Sequence, residues 1–295
     1  WAYLPSVAAG WLVHREKFMN GVDWIPYLKL RGSYGQVGNQ GVTPYRTLGV
    51  ANEYFYKFGL GAPSYSALPS SELFNPNLKW EETTTYNAGV DFGIKDNRLN
   101  GSLDFFYKVS DDLFQVAPFA DGSNFTNEGP QNIGSMSVKG FELNINYDVL
   151  KQENLNWNVN FNASKFERRI DEIAGGVPIF VGNIGIGTES QIMQEGFTPN
   201  SFYVFKQLYN NDGSPIEGAF ADLNGDGLVN NSDRYIYKNI DPDLVLGFST
   251  NFKYKNFDPI SAKAYNEFTA IFELKLNTRT GFALLAKLYT SGTFK

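Results

Sequence analysis

Apolar and polar residues alternate with a period of two in several separate stretches of the chain. In 140–149 the odd positions are Phe141, Leu143, Ile145, Tyr147 and Val149, and the even ones are Gly140, Glu142, Asn144, Asn146 and Asp148. In 156–163, Trp157, Val159, Phe161 and Ala163 alternate with four asparagines. Leu99, Leu103, Phe105, Tyr107 and Val109 repeat the pattern. A strand sends successive side chains to opposite faces, so each stretch has one apolar and one polar face. On this basis strands are expected near 1–12, 28–38, 80–94, 98–109, 138–149, 156–166, 245–254, 267–276 and 281–290.

The connections have their own order. Lys95-Asp96-Asn97 and 150–155 are short, whereas 39–79, 110–137 and 167–244 are long. In an up-and-down sheet these two sets fall at opposite ends. Short turns at one rim and long loops at the other characterise an outer-membrane barrel, facing periplasm and exterior respectively. Phe92, Tyr147, Trp157 and Tyr254 then sit near the short-turn end, and Trp80 and Tyr107 near the long-loop end, where interfacial aromatics belong. The expected fold is all-β: part of an antiparallel up-and-down transmembrane β-barrel. A soluble β-sandwich has alternating strands too and stays open as an alternative. Nine strands are too few to enclose a plug, which takes about 22. The chain is therefore read as the C-terminal portion of a larger barrel.

Composition narrows the function. Net charge is −6, so no basic patch to neutralise a nucleic acid's phosphates is expected, and no nucleic-acid partner. Cysteine is absent and His14 is the only histidine, which argues against thiolate chemistry, a Ser-His-Asp triad and a multi-histidine metal site. The chain opens Trp1-Ala2-Tyr3, neither a signal peptide nor an initiator Met, and is read as part of a longer precursor.

Several blocks resemble the SusC/RagA-type TonB-dependent receptors. They are Leu28-Lys29-Leu30-Arg31-Gly32-Ser33-Tyr34-Gly35-Gln36-Val37-Gly38-Asn39-Gln40, then Asn75-Pro76-Asn77-Leu78-Lys79-Trp80-Glu81 with the strand 87–93. Asn132-Ile133-Gly134-Ser135-Met136, Lys139-Gly140-Phe141-Glu142 and the 222–227 segment follow in family order. The resemblance covers 1–258. It implies an outer-membrane transporter that imports oligosaccharides or peptides, with a SusD-like surface lipoprotein as lid and the TonB complex as energy source. The parts that would carry a TonB box and a plug are not in this sequence. Residues 259–295 match no block of the family and are expected to supply terminal barrel strands. A passive porin remains the nearest alternative, and an enzyme is not expected.

One motif points to a metal. Asp222, Asn224, Asp226, Asn230 and Asp233 place oxygen side chains at positions 1, 3, 5, 9 and 12 of a calcium-type loop; the Leu228 carbonyl serves at 7 and Gly227 makes the turn at 6. Hard oxygens suit Ca²⁺ in a structural role. Position 12 is Asp where Glu is usual; the alternative is an Asx-rich turn without metal, against which stand the five oxygen side chains and the glycine.

Other candidates are weaker. Glu81-Glu82 and Asp111-Asp112 are carboxylate pairs, but neighbours on a strand point apart, unlike a glycosidase pair. Arg168-Arg169 can meet substrate or lipid phosphate, or simply open a polar loop. Gly182, Gly185 and Gly187 mimic a phosphate loop without its strand-to-helix context. Tyr54, Phe55, Tyr56 and Tyr65 offer either sugar stacking or loop packing.

Overall fold

A computed structural model describes residues 3–39, 54–57, 64–67, 75, 78–118, 128–183, 189–254, 266–277 and 281–291. Nine strands form one antiparallel sheet in strict chain order, numbered here among themselves. They are β1 (Ser6–Trp11), β2 (Tyr27–Asn39), β3 (Glu81–Ile94), β4 (Leu99–Asp111) and β5 (Ser135–Lys151). The sheet continues with β6 (Leu155–Glu172), β7 (Leu244–Tyr254), β8 (Asn266–Asn277) and β9 (Gly281–Ser291). Each expected strand is present, and the stretch after 258 continues the same sheet through β8 and β9. Among the described residues no helix is long and apolar enough to cross a membrane.

Register sorts the residues onto two faces. One row runs Phe105–Phe141–Lys165, the next Leu103–Leu143–Ala163, and the next Gly101–Ile145–Phe161. The opposite face carries Asp104–Glu142–Ser164, Ser102–Asn144–Asn162 and Asn100–Asn146–Asn160. The apolar face is not covered by protein: Phe105 is 55% exposed, Tyr107 45% and Tyr147 43%. A sandwich would bury these rings against a second sheet, so the soluble alternative fails. Among the described residues only Val13, Ala163, Ile170, Ile173 and Ile192 are buried hydrophobics. The core of this structure is a belt facing outward, as a lipid-facing wall requires.

The β5–β6 pairing slips twice, once between Ile170 and Glu172 near the end of β6 and once at the short-turn end. Trp157 pairs with Leu150 but Asn158 pairs with Asp148, leaving Val149 as an extra residue in a β-bulge. The expected outward run of odd residues therefore ends at Tyr147, and Leu150 takes the place opposite Trp157. The tight turn between β3 and β4 holds Lys95, Asp96 and Asn97 all at positive φ (49°, 57° and 60°). Asp and Asn tolerate that region better than most residues.

The long connections carry structure of their own. Phe114–Pro118 pairs with Glu128–Asn132, and Tyr54–Lys57 with Ser64–Ala67. Between β6 and β7 a four-stranded sheet combines Ile179–Asn183, Glu189–Met193, Ser201–Phe205 and Arg234–Ile236. A hairpin, Gln207–Tyr209 with Pro215–Phe220, stands beside it in sequence.

Candidate functional site: the polar inner wall and the 222–233 loop

The polar face is organised by two networks. In the first, Arg31 on β2 donates twice to Asp91 on β3, at 2.8 Å from Nε and 2.8 Å from Nη2, and once to Asp104 on β4 at 2.9 Å. Three strands are thus stapled by one guanidinium, whose planar fork suits bidentate carboxylate pairing. Gly89 stands between them in register with both Arg31 and Asp104. A Cβ there would lie 2.4 Å from an Asp104 oxygen and 2.9 Å from Arg31 Nη2, so the missing side chain makes the room.

The second network is made of amides. Asn160 donates to Asn146 at 2.7 Å and to Asn144 at 3.2 Å; Asn146 donates to Asn144 at 3.1 Å and to Asn100 at 3.4 Å. Asn158 donates to Asp148 at 2.9 Å. A recess of about 250 Å³ opens between the two networks, lined by Ser102, Asp104, Glu142, Asn144, Asn162 and Ser164. The surface is rich in donors and acceptors and carries few charges. It suits a solute with many hydroxyl or amide groups, or another polar protein surface. It contains no nucleophile–base pair.

At the long-loop end, Arg168 lies in the inward phase of β6 and forms a bidentate pair with Asp241, just before β7. Arg169 points the other way and is exposed. The adjacent arginines therefore do not act together. Glu81 accepts from Asn39 Nδ2 at 2.6 Å and from the Phe114 N–H at 2.9 Å, and Asp112 pairs with Lys79. Neither acid pair is arranged as an acid and a nucleophile. Gly182 lies in a strand at φ 71°, while Gly185 and Gly187 lie outside the described residues. Register sets Tyr56 opposite Tyr65 in a hairpin that also holds Tyr54 and Phe55; the side chains of all four lie outside the described residues.

The 222–233 loop is a closed set of side-chain-to-backbone bonds. Asp222 accepts the N–H groups of Gly225 at 2.6 Å and Gly227 at 2.7 Å. Asn224 accepts from Asp226 N at 2.9 Å, Asp226 from Leu228 N at 2.8 Å, and Asn230 from Ser232 N at 2.9 Å. Leu228 is exposed, and its carbonyl takes a 3.5 Å bond from Asn230 Nδ2. Asp233 is fully buried and accepts from Leu223, Asn224 and Asn230 N–H groups. Its acidity is raised, first by the Asn230 N–H, against the opposing effect of burial. The Asp222 side chain is a further contact of the Asp233 carboxyl. Among the described residues no three His, Cys, Asp or Glu side chains converge as metal ligands. Asp222 and Asp233 are brought together; Asp226 is not brought to them as a third.

The profile of the family described as TonB dependent receptor-like, beta-barrel, matches residues 1–187, more than half of the chain. The chain belongs to the TonB-dependent receptors, as part of their β-barrel. It is 35% identical over 268 residues to the TonB-dependent receptor SusC of Bacteroides thetaiotaomicron, an alignment covering 88% of this chain and 27% of the relative. TonB-dependent receptor P3 of Formosa agariphila is 30% identical over 275 residues, covering 88% of this chain and 27% of the relative. The chain thus spans about a quarter of the length of these curated relatives. In fold it matches the structure of the RagAB peptide transporter with a TM-score of 0.71, at 22% identity, over 93% of this chain and 29% of that one. The family places the protein in the outer membrane, and these relatives are receptors rather than enzymes.

The Arg31–Asp91–Asp104 triad was not singled out in the sequence. Its members lie 60 and 73 residues apart. The available signal was weak: a cation and two acids in the polar phase of three consecutive strands.

Proposed function

We propose that this TonB-dependent receptor imports oligosaccharides or peptides across the outer membrane, energised by the TonB complex and capped by a SusD-like surface lipoprotein. The inner wall carries this reading. Its linked amides offer hydrogen bonds to hydroxyl or peptide groups, beside the Arg31–Asp91–Asp104 cluster. The likeness to the TonB-dependent receptor SusC, and in fold to the RagAB peptide transporter, supports import. The long loops would face the exterior. An epitope inserted at Gly213, in an exposed hairpin turn, should then bind antibody on intact cells.

The test is uptake of labelled oligosaccharides and peptides by cells making the full-length receptor. Uptake that stops when the TonB complex is deleted, and falls when the neighbouring lipoprotein is deleted, is the expected result. Uptake that persists without TonB would make the protein a passive porin.

We propose further that the 222–233 loop binds Ca²⁺ as a structural ion, through the oxygens of Asp222, Asn224, Asp226, Asn230 and Asp233 and the Leu228 carbonyl. The ligand spacing supports it, with oxygen side chains at positions 1, 3, 5, 9 and 12 and Gly227 at the turn. Binding would have to turn these side chains from the backbone N–H groups towards one ion. Isothermal titration of the full-length receptor with Ca²⁺ should show one site, lost when Asp222 and Asp226 are both replaced by Ala. Absence of any binding by the unmodified receptor at millimolar Ca²⁺ would refute it.

A further inference from the structure

The outward face of β5 and β6 changes character at the long-loop end. A tilted strand crosses the apolar layer in about 9–11 residues. Counting that span upward from Trp157 on β6 ends it at 165–167. Counting from Tyr147 on β5 ends it at 137–139. The outward residues at these heights are Lys165 and Lys139, with Glu167 opposite Lys139 and Arg169 one step beyond. All four are exposed. Lys165 shares its row with Phe141 and Phe105, so it marks the upper edge of the apolar belt. At the same end, the outward positions of β2, β3 and β4, including Gln36, Thr84 and Val109, carry no cation.

We propose that Lys165 and Lys139, with Arg169 above them, form a docking site for the phosphate of a phosphorylated glycolipid, lipid A, in the outer leaflet of the membrane. Lys165 has no ion-pair or hydrogen-bond partner among the described residues. Lys139 meets Glu167 at 3.2 Å, but both side chains are about two-thirds exposed (67% and 65%), and such pairs contribute little. Arg169 lies 3.7 Å from Asp171, a loose contact. Three cations thus face two carboxylates, with one lysine uncommitted at the depth where headgroups begin. Lys139 and Lys165 are diagonal neighbours on adjacent strands, within reach of one ligand for long side chains. Long basic side chains at this depth bury their stems against acyl chains and extend the charge to the headgroups. The apolar belt below holds the acyl chains, so site and belt form one continuous surface. The inference rests on the outward loop topology, and not on which solute the receptor carries.

The test uses the purified full-length receptor in detergent, with lipid A binding read by native mass spectrometry. Lys139→Ala with Lys165→Ala should weaken binding by about fivefold or more per lysine, the usual contribution of a basic residue at an anionic surface. The Lys139→Arg, Lys165→Arg variant should retain binding, which separates charge from folding. Lys151→Ala, at the short-turn end, should leave it unchanged. Dephosphorylated lipid A should bind the unmodified receptor no better than lipid A binds the double-alanine variant. Excess inorganic phosphate should displace little lipid A. Equal binding by the unmodified and double-alanine receptors would overturn the site. Equal binding of the dephosphorylated lipid would overturn the phosphate. Preference for phosphatidylglycerol over lipid A, lost in the double-alanine variant, would place the cluster in the other leaflet and overturn the outer-leaflet assignment. In that case uptake assays would still report on import separately.

Discussion

The wall and the region between β6 and β7 are both made of antiparallel strands, yet they are held together differently. In the wall, outward rings such as Phe105, Tyr107 and Tyr147 are open to their surroundings, and inward side chains bond to one another across strands. In the 173–243 region, Ile173, Ile192, Ser201 and Asp233 are buried, and the sheet closes around its own small core. The wall has lipid as one of its two solvents, so its apolar residues need no protein partner. Its backbone groups must all be paired along the ladder. The loop region buries only a few side chains against its own short strands and leaves others, such as Val177, Phe180 and Tyr209, exposed. The same strand geometry thus gives strict alternation in one place and short irregular strands in the other.

Substitutions can break this comparison in order of expected size. Ile145→Arg puts a charge on the lipid face opposite Phe161 and should cost about 2–4 kcal/mol, enough to prevent assembly of the full-length receptor. Asn144→Arg, one residue away on the inner face, should assemble normally. Loss of the heat-modifiable folded band on gels reads both, and equal loss would mean that the faces are assigned the wrong way round. Gly89→Ala forces a Cβ against Asp104 and Arg31 and should destabilise by about 1–3 kcal/mol. Adding Asp104→Ala should recover part of that, because the clash disappears with the carboxylate; thermal unfolding of the single and double variants measures the coupling.

Arg168→Ala removes the bidentate anchor to Asp241, a loss of about 1–3 kcal/mol that should fall on the loop region alone. Limited proteolysis should speed up between 173 and 243 while the wall stays folded. Unfolding of both together would show that they are one cooperative unit. Asn160→Ala removes two amide bonds from a wall that still holds its backbone ladder, and about 0.5–1.5 kcal/mol is expected.

The nine wall strands were legible because residues such as Leu143, Ile145, Val159 and Phe161 repeat with the period of the pleat. Strand ends were less so. β5 starts at Ser135 and β6 runs to Glu172, beyond the expected 138 and 166. There both faces meet polar surroundings, and Lys139, Glu167 and Arg169 no longer reveal a phase. The bulge at Val149 was hidden because an apolar residue at an odd position extends the count without showing the slip. The strands within 179–236 are three to six residues each, too short to show a period in the sequence. The Asx motif at 222–233 was visible as spacing. Its bond pattern was not, because the same five side chains serve backbone N–H groups. The triad at Gly89 needed three strands in register before an arginine and two aspartates became one feature.

If the receptor carries a solute along this wall as proposed, its amide ladder and its Arg31 cluster give that passage different signatures. Amide-to-hydroxyl bonds do not weaken as counter-ions accumulate, whereas contacts with the Arg31 cluster are screened over a Debye length of about 8 Å at physiological ionic strength. A solute that travels along Asn100, Asn144, Asn146 and Asn160 should be taken up at the same rate in dilute and concentrated salt. One that pauses at Arg31, Asp91 and Asp104 should speed up or slow down as the salt is raised.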